Sequence, residues 1–504
     1  MTALVRLLDA LAAALVLGVL WIWAAGGIWV GRAGVDRAED LIVALVVVAG
    51  ARWVLRPWQL PPLAPARVVA VGVALYVVVM TFITVTRHYA LRTHALDLGQ
   101  YVQVIWNIAM GHGPWSTMPT VGRPINFWGE HFSPIFYLLA PLQWVWPGAA
   151  VLLVVQTLIL GAGGIAVFKF GERVVGPRAA ATLATVFLLN PSLHGINLRD
   201  IHPAAFAITL LVAAAWAYEA GRWGWCAAAL VLTLACREDA AVAVVGFGVW
   251  LALARRRWAL GAAVAAVSLL ILWVDLAIVM PPYRGEPYSH LHRWRHLGDS
   301  LPDILVSLVF RPWRWIAVVA TWPKLVYLLA LLAPLGFLPL LAPRVLAAAV
   351  PALAMNLLSL DPILINRRAQ YQAYVLPFLV LAAVEGFPRL KRWQGRRAIH
   401  VLAFALLASL ALTSRTLNDL TITKWRLGPE PLAAWALIAR VPAGASVTGN
   451  DRVVPHLSTR REIYLHPVNI GRSEYVLNRI ETLPAPPEGY RLAGREGGWV
   501  LYRR

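Results

Sequence analysis

Five short stretches of a very apolar chain carry residues that can do chemistry. "HALDLGQ" holds Asp97, and "GEHF" holds Glu130 beside His131. "LRDIHP" holds Arg199, Asp200 and His202. "CREDAA" holds Arg237, Glu238 and Asp239, and "INRRAQ" holds Arg367 and Arg368. A carboxylate can take the proton of an attacking hydroxyl. A guanidinium can hold a phosphate through two parallel hydrogen bonds. Each stretch also has a plain structural reading. Asp97 can cap a helix, and both roles coexist only if one carboxylate oxygen stays free. Glu130 and His131 can form a proton-transfer pair, or be a solvated loop charge next to an interfacial histidine. Asp200 can pair with Arg199 or cap the helix that starts at Pro203. If Arg237, Glu238 and Asp239 lie deep in a bilayer, each charge costs about 2.5–3.5 kcal/mol. Three such charges then demand a polar cavity, whereas at an outer surface they demand nothing. Asp275 lies near the end of another apolar run, toward the same side.

The elements that must position these groups are membrane helices. The chain has 504 residues, 60% hydrophobic and 14% charged, where soluble domains carry about 25% charged residues. Apolar runs fall at 4–30, 40–55, 67–86, 149–170, 179–190, 203–220, 224–236, 240–254, 258–280, 325–341, 345–358, 371–387 and 398–414. A full span needs about 20 residues, so several are short, and the pair around Cys236 can be one broken helix. The first run is too long for a signal-peptide core and reads as a retained span. A net charge of +20 would suggest nucleic acid in a soluble protein. Here the arginines sit between apolar runs, which excludes that partner in favour of cytoplasmic anchoring. The cysteines, Cys226 and Cys236, are separated by about 15 Å of helical rise. That is too far for a disulfide, and they cannot build a metal cluster.

Orientation follows from the basic loops: Arg52, Arg56 and Arg67; Lys169, Arg173 and Arg178; the triple arginine at 255–257; and "PRLKRWQGRR" at 388–397. All fall on one side if about 13 helices run from a cytoplasmic N-terminus to an external C-terminus. Loops 87–148, 281–324 and 191–202 then lie outside, with a Pro/Gly-rich break at 281–287. The expected architecture is an α-helical multi-span domain over 1–414 and a small extracytoplasmic α/β domain over 415–504. In that tail, "RVPAGASVTGNDRVVPHLSTRREIYLHP" reads strand, short helix, strand, and further strands follow, the last around a Gly-Gly turn. Within the first loop, Leu98, Tyr101, Ile105 and Ile108 form one helical face, and Asp97, Gln100, Gln103 and Asn107 another. Such a helix can lie in the membrane interface, apolar side down. The 131–146 segment is expected to dip in or lie flat.

The stretches "LDLGQYVQVIW", "GEHFSPIFYLLAPL", "LRDIHP", "CREDAA", "LPLLAPRVLAAAVPALAMNLLS", "YVLPFLVLAAVEG" and the tail segment, in that order, resemble the polytopic membrane family known as domain of unknown function 2079. The layout is similar to that of the GT-C glycosyltransferases. Those have an acidic residue in the first large outer loop, then interfacial helices, a span, a basic turn and another span. Asp97, helix 97–110, segment 131–146, span 149–170 and "ERVVGPR" match that order. The family often has a second Asp where this chain has Val102, and a histidine where it reads Tyr371-Gln372-Ala373. A mechanism with a metal bridged by two aspartates loses its residues here.

The resemblance implies a membrane glycosyltransferase using a polyprenyl-phosphate sugar and an unidentified acceptor. Asp97 would be the general base, and Arg237 or Arg199 would meet the departing lipid phosphate. Gln103, Glu130, His131, Asp200, His202, Glu238, Asp239 and Arg367 would line the substrate site. A divalent cation between Asp97 and Glu130 or His131 is chemically permitted but not required, since arginine can neutralise a monophosphate. A transporter or flippase for a lipid or anionic solute also uses broken, charged helices, although no matched pair of interrupted spans marks two halves. A non-catalytic membrane assembly protein, with the tail binding a partner, is the third reading.

Overall fold

The computed structural model describes residues 2–31, 33–58, 63–118, 123–284 and 288–504. The apolar runs foreseen from the sequence are largely helical, except that the first, 4–30, leaves its helix at Ala25 and ends in a short strand, Ile28–Val30. Among the described residues, six helices are long and apolar enough to cross a membrane. Pro312–Val319 and Trp322–Leu335 form a pair bent by 63°, and the shorter apolar helices are Phe136–Val145, Pro203–Glu219, Trp223–Leu234, Ala240–Leu253 and Pro343–Leu357. The break around Cys236 is real: Trp223–Leu234 stops, the charged triplet follows, and Ala240–Leu253 resumes.

Two ends can be told apart. Helices Pro65–Tyr89 and Ala398–Leu417 begin beside the basic loops and end beside the acids of the first loop and Asp419. Ala398–Leu417 has 20 residues, which at about 1.5 Å per residue is roughly the hydrocarbon thickness. Phe170, Phe187, Phe206, Phe247 and Phe378 are fully buried between the helices.

The helix Gln100–Ala109 is covered by protein on both faces. Tyr101, Val104 and Ile105 pack into the bundle, while Gln103 and Asn107 are also buried. Its uncharged stripe faces protein: Gln103 Nε2 donates to Thr117 Oγ1 at 2.9 Å and to the carbonyl of Arg461 at 2.9 Å. The 131–146 segment becomes two one-turn helices, Phe136–Leu139 and Leu142–Val145, set between Pro134, Pro141 and Pro147. The second loop holds Leu301–Phe310 and Pro312–Val319. Residues 285–287 of the foreseen break lie outside the described residues.

The tail carries a five-stranded sheet in the order Ile463–Leu465, Val447–Gly449, Tyr475–Arg479, Trp499–Arg503, Arg491–Glu496. The first three strands are parallel and the last two join antiparallel. Val447, Leu477, Trp499 and Leu501 share a core with Leu91, Ala95 and Met118 of the first loop. The sheet is therefore packed onto the segment that holds Asp97.

Candidate active site

Asp97 lies in a kink of the chain, not at a capped helix start. Its φ of 69° and ψ of −84° are near the γ-turn of positive φ, which is rare and strained. Non-glycine residues held there cluster at functional sites. Among the described residues its carboxylate bonds no backbone amide. The capping task belongs to Asp451 of the tail. Asp451 accepts from Ala95 N at 2.9 Å, and its other oxygen meets His94 Nδ1 at 2.7 Å. Gly99 allows the approach, since a Cβ there would stand 3.1 Å from Ser458 Oγ. The Asp97 side chain remains 44% exposed, with His202 Nε2 3.4 Å from Oδ2. Neither His202 nitrogen makes a well-formed hydrogen bond, so the contact is a long polar approach to a buried ring.

The Asp200 turn is pinned from below. Gln156, fully buried in helix Ala149–Val175, donates through Nε2 to the Asp200 carbonyl and accepts from His202 N, both at 2.8 Å. Asp200 also has a positive φ, 65°. It neither pairs with Arg199 nor caps the next helix; its carboxylate accepts weakly from His94 N at 3.4 Å. Burial would raise the Asp97 carboxyl, but His202, with His131 and Arg199 behind it, outweighs burial and holds it down to about 2. Burial pushes Asp200 up to about 6; His202 opposes the rise and Asp97 adds to it. Adjacent acids with environments pulling their pKa values apart are a common acid–base arrangement.

The charged triplet is internally compensated. Arg237 Nε donates to Asp239 Oδ1 at 2.7 Å, and its Nη2 meets the other oxygen. Tyr374 OH adds a bond to Asp239 at 2.7 Å. Glu238 binds His131 Nδ1 at 2.8 Å and accepts from Tyr288 OH at 2.6 Å and Phe132 N at 3.0 Å. The partner of His131 is thus Glu238, while Glu130 accepts from Gln100 Nε2 at 2.8 Å. Burial works against a charged His131, yet Glu238 outweighs it and raises the pKa. Pairing is what makes buried charges tolerable.

Two cavities meet at Asp97. One, about 590 Å³, is lined by the polar side chains Asp97, Glu130, His131, Arg199, Arg237, Glu238, Asp239, Tyr288 and Arg293. The same cavity is also lined by apolar side chains, among them Leu272, Leu276, Ile304, Leu308, Ala354 and Met355. The second, about 1360 Å³, is polar: Asp97, Arg199 and Asp200 with Arg87, Arg92, Arg368, Arg415, Asp419 and Asp451. Asp97 and Arg199 line both.

Some expected residues fall elsewhere. Gln103 lines neither cavity because its amide is consumed by the tail and by Thr117. Arg367 lines neither, and its neighbour Arg368 takes the cavity position. His202 sits beneath Asp97, buried, as a support for it. Arg237 reaches the cavity already engaged by Asp239. Sequence reasoning missed Gln156, Tyr288, His290 and Arg293, while Gln100 stood on the polar face with Asp97 without being given a role at the site. Gln156 had a signal, a lone amide inside an apolar span; the loop residues had none. Among the described residues no group of three or more His, Cys, Asp or Glu is gathered as a metal site.

The profile of the family described as "Predicted membrane protein (DUF2079)" matches residues 87–488. No curated protein matches the sequence. Among solved structures, ArnT from Cupriavidus metallidurans bound to undecaprenyl phosphate superposes with a TM-score of 0.53 at 15% identity, covering 86% of this chain and 97% of that one. The apo state of the same protein gives 0.52 at 15% identity with the same coverage. At that identity the likeness establishes a shared fold, the GT-C-like arrangement expected from the order of loops and spans.

Proposed function

The chain belongs to the DUF2079 family of predicted membrane proteins, and from that footing we propose that it is a glycosyltransferase using a polyprenyl-phosphate sugar. The observation that carries this reading is the Asp97 carboxylate, uncommitted to its own backbone, at the meeting of an amphipathic and a polar cavity. The amphipathic cavity suits a lipid-linked donor: isoprenoid carbons against its apolar lining, phosphate near His131, Arg199 and Arg293. The ArnT structure, which holds undecaprenyl phosphate, supports a donor of this class. The acceptor enters from the polar cavity. Its hydroxyl oxygen bonds to the anomeric carbon, and the bond from that carbon to the phosphate oxygen breaks. The phosphate leaves with the electron pair. Asp97 receives the hydroxyl proton, which becomes acidic only as the new bond forms. Preorganised positive charge around the departing phosphate is the main electrostatic aid, and Arg199 lies where it can serve both substrates. By the positive-inside rule, the basic loops are cytoplasmic, and the cavities and the tail domain, 415–504, face outward.

The test is a transfer assay with purified protein and a panel of polyprenyl-phosphate sugars, following donor consumption. A positioned base contributes about 10²–10⁴-fold, so Asp97→Asn should lose that much rate while donor binding persists. Wild-type activity in Asp97→Asn would end the assignment. Because arginine and histidine supply the positive charge, transfer is expected to survive EDTA.

A further inference from the structure

The basic loops carry charge at the end of the bundle remote from Asp97, and the proposed transfer reaction makes no use of them. There, the end of helix Ala38–Leu55, the turn between Ala149–Val175 and Pro177–Leu188, and the turn before Ala398–Leu417 frame an apolar groove of about 850 Å³. Phe387, Leu402 and Leu406 form its floor, and Arg178, Lys391 and Arg396 its rim. Among the described residues no carboxylate lines it, and none of the three rim cations is in an ion pair. Two tryptophans complete the wall, and both are held in place. Trp53 Nε1 donates to His400 Nδ1 at 2.8 Å. The Arg52 guanidinium sits 5.2 Å over the Trp58 ring while bonded to Asp9 at 2.7 Å.

We infer that this groove is a specific site for an anionic phospholipid, an acyl chain on the Phe387–Leu406 floor and the phosphate among Arg178, Lys391 and Arg396. Apolar depth alone would accept any lipid. The uncompensated cations at its mouth select a net negative headgroup, as basic pockets between membrane helices do. Tryptophan rings are most stable at the headgroup boundary, which suits a groove of this kind at the basic end of the bundle. Each cation near such a surface is worth about 1 kcal/mol, so the three together would favour an anionic over a zwitterionic lipid by roughly a hundredfold.

The test uses the full chain in mild detergent, with phosphatidylglycerol and phosphatidylcholine of identical acyl chains as probes. Native mass spectrometry reads retention and thermal unfolding reads stabilisation. Phosphatidylglycerol should be retained and should raise Tm; phosphatidylcholine and free sn-glycerol 3-phosphate should do neither. Combined Arg178→Gln, Lys391→Gln and Arg396→Gln should remove the preference between the two lipids. Ala403 also lines the groove, and Ala403→Trp, which fills it but keeps the cations, should abolish retention of both. Equal retention of both lipids by the wild-type protein, which requires no variant to fold, overturns the proposal. So does unchanged preference in the triple variant, or equal stabilisation by sn-glycerol 3-phosphate.

Discussion

Asp97 and Asp200 share one histidine and one cavity wall, yet they are tuned apart, to about 2 and about 6. The difference has a kinetic consequence. Asp97 stays anionic through any working pH, so the acid limb of a pH–rate profile should be set by Asp200 near pH 6. In Asp200→Asn that limb should vanish while residual activity remains; persistence of the limb would assign it to another group. The stability linkage has opposite signs for the two acids. Asp97 has a depressed pKa, so its contribution is complete above about pH 4 and is lost as pH falls toward 2. Asp200 has a raised pKa, so the folded state holds its proton more tightly. Stability then falls as pH rises from about 4 to 6, and Asp200→Asn should flatten that slope in thermal unfolding. Legibility at this scale was uneven. Asp97, Arg199 and the triplet stood out because charges in an apolar chain demand a reason. That Arg237 is engaged by Asp239, and that Gln103 belongs to the tail, depends on side-chain directions that spacing alone does not carry.

The strained Asp97 turn persists because neighbouring elements hold it. Asp451, on the turn after strand Val447–Gly449, takes the buried Ala95 amide and reaches His94. Asp451→Ala would strand that amide, at a cost of about 1–3 kcal/mol. The expected result is faster amide exchange over residues 94–100 and a lower kcat, with the tail sheet still protected. Exchange unchanged over that stretch would mean the turn supports itself. Gln156→Leu acts from the opposite side, removing both bonds that seat Asp200 and His202. Leucine matches the amide in volume, so helix packing should survive and the loss should fall on kcat more than on KM. A fall in KM affinity alone would place Gln156 outside the positioning of the turn. The helices themselves were readable from their apolar runs. The burial of helix Gln100–Ala109 was not, because a stripe of glutamine and asparagine suits a wet interface and a protein partner equally. What decided it was the tail sheet packed on it from some 350 residues downstream, as in the 357-residue separation of the Gln103–Arg460 contact.

Across the whole molecule the polar groups divide into two ends, with the mixed cavities at one and the basic groove at the other. The residues lining the groove and those lining the two cavities do not overlap, which favours transfer at one face over passage between faces. The amphipathic cavity makes the sharper test. If its apolar lining holds isoprenoid carbons, Ala354→Trp should obstruct them without touching Asp97, Arg199 or His131. Each buried methylene is worth about 0.8 kcal/mol, so excluding only a few should raise KM for a long-chain donor by about tenfold or more. A donor with a single isoprene unit, which offers few carbons to that lining, should be used as well as by the wild type. This difference between chain lengths separates a blocked lipid site from general damage, which would slow both donors alike. It also separates the enzyme from a transporter. A carrier blocked at Ala354 would lose solute flux across sealed vesicles whatever the donor length, and wild-type flux with no donor consumption would replace the transferase with that alternative.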